Sequence, residues 1–132
     1  MRIMLSGKIH RATVTDANLD YEGSISVDAE LLDAAGILPF EQVHVLDLTN
    51  GARLETYAIP AKPSSREICV NGAAAHLVAP GDLVIILSYR GIPEEELAQY
   101  RPRLVMVDVD NRIRSTAEGA DAVKLKIRTA AP

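Results

Sequence analysis

Gln42-Val43-His44-Val45-Leu46-Asp47-Leu48-Thr49-Asn50-Gly51-Ala52-Arg53-Leu54-Glu55-Thr56-Tyr57-Ala58-Ile59-Pro60 reads as strand, turn, strand. The runs 42–48 and 54–60 are short and β-branched, as a pleated, partly buried surface requires. Asn50-Gly51 between them is a turn dipeptide, because glycine supplies positive φ and asparagine tolerates it. The same pattern continues outward on both sides. Runs 3–14, 24–27, 67–70, 82–89, 103–109 and 123–128 also read as strands. In the last of these, Val123, Leu125 and Ile127 alternate with Lys124, Lys126 and Arg128. Asn71-Gly72 and Pro80-Gly81-Asp82 supply further turn signals. Two stretches read as helical. Residues 29–35 lie between a candidate N-cap, Asp28, and a candidate C-terminal stop, Gly36. Residues 93–100 open with proline and three glutamates and end at Arg101-Pro102. Residues 115–122 are small and polar and read as a loop. Many short strands with few helices imply a small β-barrel or sandwich. With no repeat, low-complexity tract or linker, residues 1–132 are expected to form a single domain.

Composition narrows the function classes. Nearly half of the 132 residues are hydrophobic, yet there is no Trp and only one Phe, so the core must be aliphatic. The formal net charge of −4, with both signs mixed along the chain, argues against a nucleic-acid or anionic-membrane partner. It leaves room for an acidic substrate, which needs only one or two placed cations. One cysteine, Cys69, allows no intrachain disulfide and fits a reducing compartment. No stretch reads as a secretory or membrane-spanning segment, so a cytoplasmic location is expected. His10, His44 and His76 show no metal-ligand spacing, and no metal is expected. There is no phosphate-binding glycine loop, no Gly-x-Ser-x-Gly elbow and no ordinary scaffold for pyridoxal phosphate (PLP). An enzyme of this kind must take its electrophile from an unusual source.

Tyr21-Glu22-Gly23-Ser24 offers one. It falls between two strand-like runs, where glycine can hold a strained backbone at no Cβ cost. A serine hydroxyl held over the preceding carbonyl can attack it and turn the amide into an ester. Elimination then leaves dehydroalanine, which hydrolyses to a pyruvoyl group. On its own a Gly-Ser pair is an ordinary turn.

The surrounding blocks give the pair its meaning. Gly7-Lys8-Ile9-His10-Arg11, Tyr21-Glu22-Gly23-Ser24 and Leu32-Asp33-Ala34-Ala35-Gly36-Ile37-Leu38 come first. Thr49-Asn50-Gly51, Arg53 and Thr56-Tyr57-Ala58-Ile59 follow. Asn71-Gly72-Ala73-Ala74-Ala75-His76 and Gly81-Asp82-Leu83-Val84-Ile85-Ile86 complete the series. In this order and spacing, over about residues 3–112, the chain resembles the bacterial aspartate 1-decarboxylase family. The tail beyond about residue 112, variable in such proteins, carries no recognised motif.

The resemblance implies a mostly β fold, a six-stranded double-psi β-barrel with short flanking helices. It implies autocatalytic cleavage between Gly23 and Ser24, giving chains 1–23 and 24–132. Ser24 becomes a covalently bound pyruvoyl group that forms a Schiff base with L-aspartate and serves as electron sink, with no metal and no PLP. The products are β-alanine and CO2, for pantothenate and coenzyme A synthesis. Tyr57 corresponds to the proton donor. Thr56 corresponds to the threonine that assists the acyl shift and contacts substrate. Arg53 matches the cation expected to hold a substrate carboxylate, and Lys8 a second cation expected to hold the other carboxylate or the pyruvoyl region. Gly72, Ala73 and Ala74, with Asn71, resemble the substrate-contacting loop, where small residues let backbone N–H groups approach. His10 and Tyr21 are expected to line the site. A homotetramer with sites between subunits is implied, and a maturation helper protein is a further partner left open.

Three other readings compete. A non-enzymatic barrel would keep the Gly23–Ser24 bond intact. An oligonucleotide-binding barrel lacks the aromatic residues used for base stacking. A pyruvoyl enzyme acting on another amino acid would be separated by a substrate panel.

Overall fold

The computed structural model describes residues 1–118. Nine strands form one sheet in the order β2-β6-β3-β5-β4-β7-β1-β8-β9. They are β1 (Arg2–Thr13), β2 (Asp16–Asn18), β3 (Ser24–Asp28), β4 (Gln42–Asp47), β5 (Arg53–Ala61), β6 (Ile68–Asn71), β7 (Leu83–Ile92), β8 (Arg103–Val107) and β9 (Ile113–Glu118). One α-helix, α1 (Ala29–Ala35), follows β3.

Covalent chain joins two strands that lie far apart in this order. β2 is the first strand of the order and β1 the seventh, yet only Val14 and Thr15 separate them. At that corner Val14 N donates to Asp82 O (2.9 Å) and Thr15 N donates to Ile68 O (2.8 Å). The sheet therefore curls round on itself into a barrel, as the many short strands predict. Asn111 fastens the same corner. Its side chain accepts from Thr13 N (2.7 Å) and donates to Thr13 O (2.9 Å) and Arg66 O (3.0 Å).

Alternation decides what lies inside. Ile9, Ile25, Val27, Val43, Val45, Ala58, Ile68, Val70, Val84, Ile86 and Val105 are completely buried and project from seven strands into one aliphatic core. Each Val or Ile side chain contributes roughly 1.5–3 kcal/mol by leaving water. The intervening residues lie on the outer face, and that face carries the site.

The helix begins and ends as its cap residues require. Asp28 Oδ1 accepts from Glu30 N at 2.9 Å, and Gly36 adopts φ 69°, where its N–H reaches the last carbonyls of α1. Asp28 also accepts from Ser64 N and Arg66 N, tying the loop after β5 to the start of the helix.

Several expectations need correction. There are nine strands among the described residues where six were expected, and two of the additions, β2 and β9, lie at the ends of the order. Residues 115–118, expected in a loop, belong to β9. They pair antiparallel with β8 through backbone bonds, for which their polar side chains carry no alternation signal. The second helix is a 3-10 helix, Glu94–Gln99, with Pro93 as its N-cap. Asn71-Gly72 does not join two strands: Asn71 ends β6 and Gly72 opens a 3-10 helix, Gly72–His76. The strand expected at 123–128 lies outside the described residues.

Candidate active site

Ser24 opens β3 and Asn71 closes β6, and the two face each other across this antiparallel pair. Ser26 and Cys69 face each other one step further along. Ile25, Val27, Ile68 and Val70 point into the core, so these four polar residues share the outer face. Ser24 is nonetheless only 2% exposed and Asn71 5%. Asn71 Nδ2 donates to Ser24 Oγ (3.0 Å) and Ser26 Oγ (3.1 Å), while the Cys69 thiol donates to Asn71 Oδ1 at 3.3 Å. Burial, then the nearby Asp16 and Glu67 carboxylates, push the Cys69 thiol above its ordinary pKa.

Gly72 presses the preceding loop onto this group. It adopts φ +73°, and a Cβ there would lie 2.7 Å from both Cα and N of Gly23 and 3.0 Å from Tyr21 O. Only a residue without a Cβ permits that approach. Gly23 itself is exposed, and a Cβ on it would meet nothing within 4 Å. The Gly23–Ser24 peptide therefore bridges an open loop and a buried, hydrogen-bonded hydroxyl.

β5 lies on the other side of β3. Their parallel register starts at Ile25 opposite Ala58. Carried back one residue it sets Ser24 beside Tyr57, and carried back two it sets Gly23 beside Thr56. Tyr57 is half-buried and stacks on Phe40 with ring centroids 6.4 Å apart. Thr56 faces Val43 across β4 and so turns toward the barrel interior. Arg53, Glu55 and Tyr57 share the outer face of β5 by alternation. Arg53 is exposed and lines an open groove of about 340 Å3 with His44, Leu46, Leu54 and Glu55. A second open hollow of about 440 Å3 includes His44, Gln42, Tyr89 and Arg90, and Ser24 lines neither.

Lys8 and His10 are on β1, four places from β3 in the strand order. One chain thus gathers Gly23, Ser24, Thr56, Tyr57, Asn71 and Gly72, and leaves Lys8 and His10 elsewhere on the outer face. The Tyr21 side chain is 64% exposed. Ala73 is exposed and Ala74 half-buried in the 3-10 helix that continues from Gly72. Among the described residues no group of three or more His, Cys, Asp or Glu could hold a metal ion. Ser26 and Cys69 were missed as neighbours of Ser24. Their signal was the period-two spacing, Ser24 with Ser26 and Cys69 with Asn71, on two strands whose pairing the sequence does not announce.

A family model described as aspartate decarboxylase matches residues 1–114. The chain belongs to the aspartate decarboxylase family. The double-psi β-barrel of the aspartate decarboxylase family is the fold seen here, with parallel pairs β3–β5 and β1–β8 each flanked by antiparallel neighbours. The chain is 56% identical to the aspartate 1-decarboxylase of Corynebacterium efficiens over 92% of its length and 88% of that protein's. Identity to the aspartate 1-decarboxylase of Legionella pneumophila (strain Lens) is also 56%, over 96% of this chain and 95% of the relative. That of Geobacillus sp. (strain WCH70) is 51% identical, over 86% and 89% respectively.

Proposed function

We propose that this chain decarboxylates L-aspartate to β-alanine and CO2, supplying pantothenate and coenzyme A synthesis, at a pyruvoyl group made from its own Ser24. The observation that carries this reading is the buried Ser24 hydroxyl, held by Asn71 at the edge of an exposed Gly23 loop that Gly72 alone can seat.

The chemistry starts within the chain. Ser24 Oγ attacks the Gly23 carbonyl carbon, the C–N bond breaks, and the hydroxyl proton ends on the Ser24 nitrogen. Gly23 is then an ester on Ser24. Loss of the Ser24 α-proton and cleavage of the Cβ–O bond release a Gly23 carboxyl group and leave dehydroalanine. Water converts this to the pyruvoyl group and ammonia. The hydroxyl of Thr56, beside Gly23, assists the shift. The residues present suit the product: a buried terminus under Asn71, with the Gly72 backbone against it.

Once formed, the pyruvoyl group supplies the electron sink for carboxylate loss. The remaining work falls to ordinary side chains. Arg53 grips one substrate carboxylate through its guanidinium fork. The Tyr57 hydroxyl, next to position 24, donates a proton to the carbon that loses CO2. Backbone N–H groups at Gly72, Ala73 and Ala74 approach the substrate or the oxyanion of the acyl shift. Lys8 takes the second carboxylate and His10 lines the site from another copy, because β1 borders neither β3 nor β5 within one chain, while Tyr21, whose carbonyl lies against Gly72, lines it from the same chain. This supports a homotetramer with sites between subunits. The protein acts as a single domain over residues 1–132 in the cytoplasm. Among the described residues no helix is long and apolar enough to cross a membrane.

An intact-mass spectrum of purified, aged protein tests the first half of this reading. Two masses are expected, for residues 1–23 and for residues 24–132 with the blocked terminus. Ser24→Ala should give the full-length mass alone. Only a full-length mass in the unsubstituted protein would contradict self-processing.

A further inference from the structure

We infer that Phe40 is a positioning residue for decarboxylation: standing on a turn that favours glycine or asparagine, its ring stacks on Tyr57 and holds that side chain beside position 24. This rests on the proposed role of Tyr57 as proton donor. Leu38-Pro39-Phe40-Glu41 closes a tight turn in front of β4, with Glu41 N donating to Leu38 O at 3.1 Å. Proline at its second place and a φ of 69° at its third make this a type II turn. The third place ordinarily takes glycine or asparagine, because a Cβ is strained there. A bulky aromatic residue at positive φ is an outlier, and strain of this kind clusters at functional sites.

Burial does not account for the ring. Phe40 is 75% exposed, so the core gains little from it. The ring it meets is that of Tyr57, with centroids 6.4 Å apart and planes 29° apart, within the range of stacked pairs. The backbone keeps the two together. Phe40 N donates to Ala58 O at 2.7 Å, and Ala58 N donates to Glu41 O at 3.0 Å. The turn is thereby stitched to β5 at the residue that follows Tyr57. Glu41 Oε1 accepts from Leu38 N at 2.9 Å and closes the turn from within. Tyr57 is half-buried, and its side-chain torsions decide whether its hydroxyl serves position 24 or turns away. A ring fixed on a rigid turn favours one of those rotamers. General-acid catalysis depends on that placement, since the donor must lie within hydrogen-bond reach of the carbon or its bridging water. Self-cleavage, to which Tyr57 is not assigned, does not.

The test uses fully cleaved protein and reads kcat and KM for L-aspartate, with thermal unfolding and mass by light scattering measured alongside. Phe40→Asn suits the turn and removes the ring. It is expected to cleave fully, to keep its fold and assembled mass, and to lower kcat about three- to tenfold, the hold of one stacked pair, with KM within about twofold. Phe40→Tyr keeps the ring and is expected to hold kcat within about twofold. Phe40→Gly, equally suited to the turn, must behave like asparagine and serves if asparagine fails to fold. In a Tyr57→Phe background the asparagine substitution should change kcat no further, because the placed hydroxyl is already gone. An asparagine or glycine variant with the unsubstituted kcat overturns the proposal. So does tyrosine as slow as asparagine. A loss of rate that persists in full in the Tyr57→Phe background, or that comes with a smaller assembled mass, also overturns it, because the ring would then act elsewhere. Tyr57→Phe with full activity instead removes the reading of Tyr57 as proton donor.

Discussion

A methyl group at position 72 would sit 2.7 Å from both Cα and N of Gly23 and would have to adopt a φ of +73°. The left-handed backbone alone costs a residue with a Cβ about 1–2 kcal/mol. The overlap with backbone atoms of Gly23 adds to it, since backbone cannot swing aside as a side chain can. Gly72→Ala should therefore lower the thermal unfolding midpoint and leave the chain largely uncleaved, seen as a surviving full-length mass. Tyr57 makes a different prediction. It lies beside Ser24 on the neighbouring strand and is assigned to the later proton donation, not to cleavage. Tyr57→Phe keeps the ring that stacks on Phe40 and removes only the hydroxyl. Cleavage should proceed normally, while the rate of β-alanine formation falls by roughly a hundredfold or more, the usual cost of losing a general acid. A variant that failed to cleave would move Tyr57 from the second reaction to the first.

Between β4 and β5 the turn that delivers Arg53 is braced by a pair of acids. Buried Asp47 ends β4, and its Oδ1 accepts from Thr49 N (2.8 Å) and Asn50 N (3.1 Å). Its side chain also meets that of Asp82, which in turn accepts from Ala79 N at 3.1 Å. Burial first, then the hydrogen bond with Asp82, raises the Asp47 carboxyl above the usual carboxylate range; the same bond lowers Asp82. A raised acid holds its proton more tightly folded than unfolded. Its contribution is full below the unfolded pKa and is lost as pH rises through the folded one. Asp47→Asn keeps an acceptor for the turn and an N–H for Asp82, with no proton to lose. Its unfolding midpoint, relative to the unsubstituted protein, should therefore improve as pH rises from below the ordinary carboxylate value of 3.8 through the raised one. A difference that stays constant with pH would show that Asp47 does not titrate in this way. The elements around this turn also show what sequence reading can reach. Asp28 and Gly36 bounded α1 correctly because caps act over a few residues. β2 could not be read, because its three residues are held by backbone bonds to β6, a strand distant in sequence, and the last residues of β9 pair with the neighbouring β8 but are polar, with no apolar alternation to mark a strand. The site divides the same way. Ser24, Tyr57 and Gly72 stood in legible blocks. The bond between Ser24 and Asn71, 47 residues apart, depends on a β3–β6 register that no local signal carries.

At the scale of the molecule, the outer face holds more of the expected site than one chain can assemble. Ser24 and Tyr57 sit on adjoining strands, whereas Lys8 and His10 sit on β1, which pairs with β7 and β8 and borders neither. Open hollows beside Arg53 and His44 enclose nothing by themselves. A second copy laid on this face would close them and bring the missing cation. Light scattering on the eluted protein should accordingly give a mass about four times that of one chain, and a monomer with full activity would contradict shared sites. The central claim is narrower than assembly: a carbonyl made from Ser24 captures aspartate. The most direct measurement is cyanoborohydride trapping with L-aspartate, followed by intact mass. The chain of residues 24–132 should gain the mass of a reduced substrate-derived adduct on its first residue, and Ser24→Ala should gain none. An unmodified mass in fully cleaved protein, or an adduct that persists in Ser24→Ala, would contradict the account.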